Sequence, residues 1–120
     1  MALNRSVLID IGGQERELKF TIQALEQLEA LLPEHNVYKV FLEPPFSVTN
    51  LIRFIFVGLR SSDKKVTMDK VYKWVEEWLD EKPAETLQEI VGDALMKSGV
   101  MGNAKKFNAD DNVEGDEEGK

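Results

Sequence analysis

Residues Val7 to Leu32 read VLIDIGGQERELKFTIQALEQLEALL, and in this block a period of two changes to a helical period with no linker between them. Val7, Ile9 and Ile11 point to one side, and Leu8 and Asp10 to the other. Gly12 and Gly13 follow, and glycine takes positive φ at little steric cost, as a two-residue reversal needs. Leu18 and Phe20 then alternate with Glu17 and Lys19. The block therefore predicts a β-hairpin. A lone two-stranded hairpin is marginal in water, so its apolar face needs a cover.

The residues that follow supply one. Thr21 is a helix N-cap, and Ile22, Leu25, Leu28 and Leu32 fall on one stripe, with Gln23, Glu26, Gln27 and Glu29 opposite. Pro33 ends this helix, because the residue before a proline is pushed out of the α region. The connector from 34 to 49 contains Pro44-Pro45, yet Val37, Tyr38, Val40, Phe41, Leu42 and Phe46 make it too apolar to hang free. It should pack on the body, with a short helical turn over Tyr38 to Leu42.

Ser47, Thr49 or Asn50 can cap the next element, Leu51 to Arg60. It is apolar almost all round and reads as the central buried helix. A buried strand is the other reading, because Ile, Phe and Val favour sheets. After a polar loop, Thr67 opens a further helix with the stripe Met68, Val71, Val75, Trp78 and Leu79, widened by Tyr72 and Trp74. Glu76, Glu77, Asp80 and Glu81 gather near its end, where the helix dipole disfavours anions, and Lys82 offsets them in part. Pro83 suits the first turn of the last helix. Its apolar face is Leu87, Ile90, Val91, Ala94 and Leu95, and Gly99 or Gly102 stops it.

The fold class expected is α+β: an N-terminal β-hairpin packed on a mainly helical body of about four helices. Residues 1–102 form one domain, and residues 103–120 form an acidic tail too poor in apolar side chains to order itself. The net charge of −7 is uneven: residues 108–120 carry −5 and the other 107 residues only −2. Without a basic patch, nucleic-acid binding is disfavoured. The longest apolar run, Leu51 to Leu59, falls far short of the roughly 20 residues a bilayer requires. No leader is visible, and the chain has no cysteine, which removes disulfides and thiolate metal sites. A soluble, intracellular protein is expected.

Candidate chemistry is sparse. The one histidine, His35, lies between Glu34 and Asn36 without the partners that catalysis or metal binding would need, and reads as a surface loop residue. Gly12-Gly13 lacks the further glycine of a phosphate-binding loop and is followed by a strand. The paired carboxylates Glu76-Glu77, Asp110-Asp111 and Glu117-Glu118 read as solvated, and residues 110–118 lack calcium-loop spacing. No catalytic residue, cofactor or metal ligand is assigned, and a non-enzyme is expected. Trp74 and Trp78 are neighbours at i, i+4 on one helix face. Core packing is the simpler reading. The sharper one makes Tyr72, Trp74 and Trp78 candidate partner-binding residues, because aromatic anchors are favoured at interfaces.

One resemblance gives these readings a direction. The run I-D-I-G-G-Q-E-R-E-L-K-F-T-I-Q-A-L-E-Q-L-E (Ile9 to Glu29) resembles the small tail assembly chaperones of long-tailed bacteriophages, prophages and gene transfer agents. In that family a glycine-turned hairpin ends in an L-x-F-like strand, and a helix with an A-L-x-x-L-E core follows. Looser likenesses lie in L-I-R-F-I-F-V-G-L-R (Leu51 to Arg60), V-T-M-D-K-V (Val66 to Val71) and A-L-M-K-S-G (Ala94 to Gly99). Residues 5 to 102 are covered in all, and the connector Pro33 to Phe46 matches nothing in the family.

The resemblance implies a non-enzymatic protein of the host cytoplasm. Such a protein binds the tape-measure and tail-tube proteins before the tube polymerises, self-associates through apolar helix faces, and is absent from the mature virion. Many members also have a longer form made by ribosomal frameshifting, and the acidic segment would suit a linker to such an extension. Two other readings stay open at the level of sequence. One is a structural virion component, such as a tail completion or connector protein, whose hairpin adds to a neighbour's sheet. The other is a small acidic regulator, which the near-neutral body argues against.

Overall fold

The computed structural model describes residues 5–99. The expected acidic segment from 103 onward lies outside them. Two antiparallel strands, β1 (Ser6–Ile11) and β2 (Gln14–Lys19), are followed by α1 (Ile22–Leu31), α2 (Val37–Leu42), α3 (Val48–Arg60), α4 (Met68–Glu81) and α5 (Ala84–Lys97). The architecture is the α+β one expected of the sequence, and the connector's helical turn is a short helix of its own, α2, which brings the helices among the described residues to five.

The hairpin turns where the glycines stand. Ile11 pairs with Gln14, and Gly12 and Gly13 take φ of +66° and +82°, the two positive values of a type I′ turn. The inward face carries Ile9, Ile11 and Leu18, all buried, with Phe20 just beyond, while Leu8 stands outward and exposed.

Side-chain caps fix most of the helix starts. Thr21, Asn36, Ser47 and Thr67 each accept a backbone N–H three residues on. Of the three cap candidates for the central helix, Ser47 is the one used. Two helices stop for the same reason: Leu32 and Lys82 each precede a proline and adopt ψ of 137° and 152°. Pro83 itself is the N-cap residue of α5 and lies one position outside the first turn expected for it. At the end of α5, Gly99 has φ +86°, the left-handed stop read from the sequence.

Helix α3 is the hub, packing against β2, α1, α4 and α5. Its Leu51, Ile52, Phe54, Ile55, Val57 and Leu59 are buried, and because Val48–Arg60 is an α-helix the buried-strand alternative for this segment is excluded. Phe54 stands edge-on to Phe20 and Phe46, with ring centroids 6.2 and 4.9 Å away. A Cβ on Gly58 would come within 2.5 Å of Leu18, so the glycine permits the close approach of α3 to β2. The connector around the cis Pro44–Pro45 bond is held by Gln88 of α5. Its side-chain oxygen accepts from the Phe46 amide at 2.7 Å, and its NH2 donates to the Phe46 carbonyl at 2.8 Å.

Three expected core positions are corrected. Ile22 is 69% exposed, because it sits at the first helical position, where no element covers α1 on that side. Leu79 is half exposed, and Tyr72 with it. The buried stripe of α4 is centred on Val71, Val75 and Trp78, and at 100° per residue Tyr72 and Leu79 both fall on its outer flank.

Candidate functional site

The first glycine of the hairpin turn, Gly12, meets the first tryptophan of α4. A Cβ on Gly12 would lie 2.6 Å from the Trp74 ring, so the bare backbone of the turn rests on the indole. Arg16 fastens this arrangement. Its Nε donates to the Ile11 carbonyl at 2.9 Å, and its Nη2 to the Gly12 carbonyl at 3.3 Å. The guanidinium lies 4.0 Å from the centroid of Trp74, a cation–π contact that gains strength from partial desolvation. Its Nη1 also sits 3.8 Å from Asp63, the one ion pair among the described residues.

Trp78, one turn along α4, is 7% exposed. Its Nε1 donates to the Pro83 carbonyl at 3.3 Å, which satisfies the indole N–H and fixes the ring. Lys82 places its Nζ 4.2 Å from the centroid of the Trp78 ring. Both tryptophans are therefore built into the body, and each already carries a cation of the chain's own.

Between the turn and α4 lies an open cleft of about 550 Å³, lined by Asp10 and the turn on one side and by Trp74, Trp78 and the end of α4 on the other. Glu77, Asp80 and Glu81 stand on its α4 wall with Lys82. Helix α4 has no basic residue in its last turn. The negative end of the helix and its carboxylates thus add to one another, where a helix end is ordinarily matched with cations. A smaller cleft of about 260 Å³ lies between β2 and the loop after α3, near Glu17, Ser62 and Asp63. There Ser62 donates to Glu17 at 2.9 Å. Hydrogen bonds from Ser6 and Ser62, helped by Lys19, hold the Glu17 carboxyl below its usual range against a small opposing effect of burial.

The three partner-binding candidates do not converge. Trp74 and Trp78 line the larger cleft, whereas Tyr72 lies with Leu79 on the outer flank of α4. His35 is exposed in the loop after α1, at φ +55°, with Nδ1 2.9 Å from the Glu29 carbonyl, a surface position like the one read from the sequence. Among the described residues no three His, Asp or Glu side chains are grouped to hold a metal ion, and no helix is long and apolar enough to cross a membrane.

Sequence reasoning missed the cleft itself, because the Gly12–Trp74 contact joins residues 62 positions apart with no local trace. A usable signal was present in the carboxylates gathered at the wrong end of α4. What the arrangement offers chemically is an aromatic floor with an anionic rim. No protein-family model matches the chain, and no curated protein or solved structure is significantly similar to it.

Proposed function

We propose that this chain is a non-enzymatic tail assembly chaperone of a long-tailed bacteriophage or prophage. It binds tape-measure and tail-tube proteins in the host cytoplasm before the tube polymerises, and it leaves before the virion is complete. The observation that carries this reading is the coincidence of two features in one block. The residues of the family resemblance, Ile9 to Glu29, include the hairpin turn that walls the aromatic cleft. Aromatic residues in a concave surface are the usual anchors of a protein partner. The exposed flank of Tyr72 and Leu79 on the same helix offers a second apolar contact, to a partner or to another copy.

The test is affinity capture of the tagged chain from phage-infected cells, alongside mass spectrometry of purified particles. Enrichment of tape-measure or tail-tube protein, with the chain missing from particles, is the expected result. The chain's presence in finished particles would replace the chaperone by the structural virion component. Capture that never enriches either tail protein would end the proposal.

A further inference from the structure

We infer that the cleft between the hairpin turn and α4 receives a lysine- or arginine-bearing segment of the partner protein, whose cationic head passes the rim carboxylates to take the place of Lys82 on the indole face of Trp78, beside the Arg16-covered Trp74. This deepens the chaperone reading and rests on it for the existence of a protein partner. Three independent features lead to it.

The floor already binds cations. Arg16 lies 4.0 Å over Trp74, and Lys82 lies 4.2 Å over Trp78. The first is fixed by hydrogen bonds to the turn. The second comes from an exposed residue on a flexible stem that a competing cation can displace. The rim is charged to match. Asp10 lines the cleft with Glu77, Asp80 and Glu81, and the last three stand near the end of a helix whose dipole has the same sign. None of the four forms an ion pair among the described residues, so a partner cation gains attraction without breaking an existing pair. The size also fits: about 550 Å³ lies within the roughly 300–1,000 Å³ typical of sites that enclose a ligand group.

Other occupants fit less well. A nucleic acid would meet carboxylates on both walls. A purely apolar helix would strip water from those carboxylates with no counter-charge in return. A divalent ion lacks a cluster of three ligating side chains among the described residues.

The chain's two tryptophans both line this cleft, so their emission reports on it directly. The experiment titrates the full-length protein with a short synthetic peptide alternating arginine and alanine, and with its glutamate counterpart as control. A saturable emission change is expected with the arginine peptide and none with the glutamate one. The combined variant Glu77→Gln, Asp80→Asn, Glu81→Gln should weaken binding at least about tenfold and should not melt lower than the parent, since it removes like charges from a helix end. Lys82→Ala should tighten binding severalfold by uncovering Trp78.

Neutralising Asp110, Asp111, Glu114, Asp116, Glu117 and Glu118 should leave the affinity unchanged. Binding that follows those six residues instead, undiminished binding by the rim variant, or weaker binding by Lys82→Ala would each overturn the inference. Absence of peptide binding alongside continued capture of tape-measure protein overturns this inference alone. Peptide binding without capture of any tail protein overturns the chaperone reading instead.

Discussion

Helices α3 and α4 have nearly the same length, 13 and 14 residues, and both start from a hydroxyl cap, yet they are used in opposite ways. Helix α3 is buried on all but one narrow outer stripe of Thr49, Arg53, Phe56 and Arg60, and it ends on Arg60, a cation at the negative pole, whose Nη1 donates to the Val66 carbonyl at 3.1 Å. Helix α4 buries one narrow stripe and ends on Asp80 and Glu81, two anions at the negative pole. Where charge follows the dipole, the residues serve the fold. Where charge opposes it, beside an aromatic cleft, the residues cost the helix stability and give it nothing in return.

The comparison is broken most severely from the α3 side. Phe54 is fully buried and meets both Phe20 and Phe46. Phe54→Ala should cost about 3–5 kcal/mol, read as a lowered urea midpoint. Tyr72→Ala, at a half-exposed site on α4, should change stability by no more than about 0.5 kcal/mol. A similar loss for both substitutions would erase the distinction between hub and outer flank.

The two glycines that permit close approach sharpen it next. Gly58→Ala drives a methyl into Leu18 and should destabilise by about 1–3 kcal/mol through overpacking, reduced by the roughly 1 kcal/mol that alanine gains in a helix. Gly12→Ala places a methyl against Trp74 at a φ of +66°. The left-handed backbone alone costs about 1–2 kcal/mol, and the indole must move as well. Thermal melts should show both losses, but tryptophan emission in the folded state should shift only for Gly12→Ala.

Charge reversal gives a smaller effect of opposite sign in the two helices. Glu81→Lys should stabilise by about 0.3–1 kcal/mol and Arg60→Glu should destabilise by at least that much, the second also losing the bond to Val66. Melting at low ionic strength separates them, and added salt should shrink the gain in α4. Destabilisation by Glu81→Lys would mean that the rim carboxylates serve the fold after all.

How much of this was legible depends on the reach of each signal. The hairpin, the helix caps at Thr21, Ser47 and Thr67, and the proline-enforced stops at Leu32 and Lys82 depend on neighbours within four residues, and periodicity reads such features well. The burial of most of α3 was equally plain, since a helix apolar almost all round has to be covered on most of its faces. Ile22 and Leu79 misled because periodicity gives a face but not the extent of its cover, which neighbouring elements set. The cleft was invisible for the same reason. Trp74 becomes a floor only when a turn 62 residues away lies across it, and Tyr72 lies outside the cleft, on the exposed flank of α4.

The smallest expected effect sits at the joint between the hairpin and the loop that separates α3 from α4. Glu17 accepts from Ser62 at 2.9 Å and also from Ser6. These bonds, more than the nearby Lys19, hold its folded pKa below the usual carboxylate range. A depressed carboxyl contributes stability that is complete above its unfolded pKa, about 4.3, and is lost as pH falls through the lower folded value. Glu17→Gln should therefore be slightly less stable than the parent at pH 7, by the same amount at pH 6, with the gap closing below about pH 4. Because the group is largely exposed, solvent keeps the gap small. Paired melts across this range check it. A gap that widens on acidification would mean that the protonated form is the better bound, and that Ser6 and Ser62 do not tie the hairpin to the loop through the charge on Glu17.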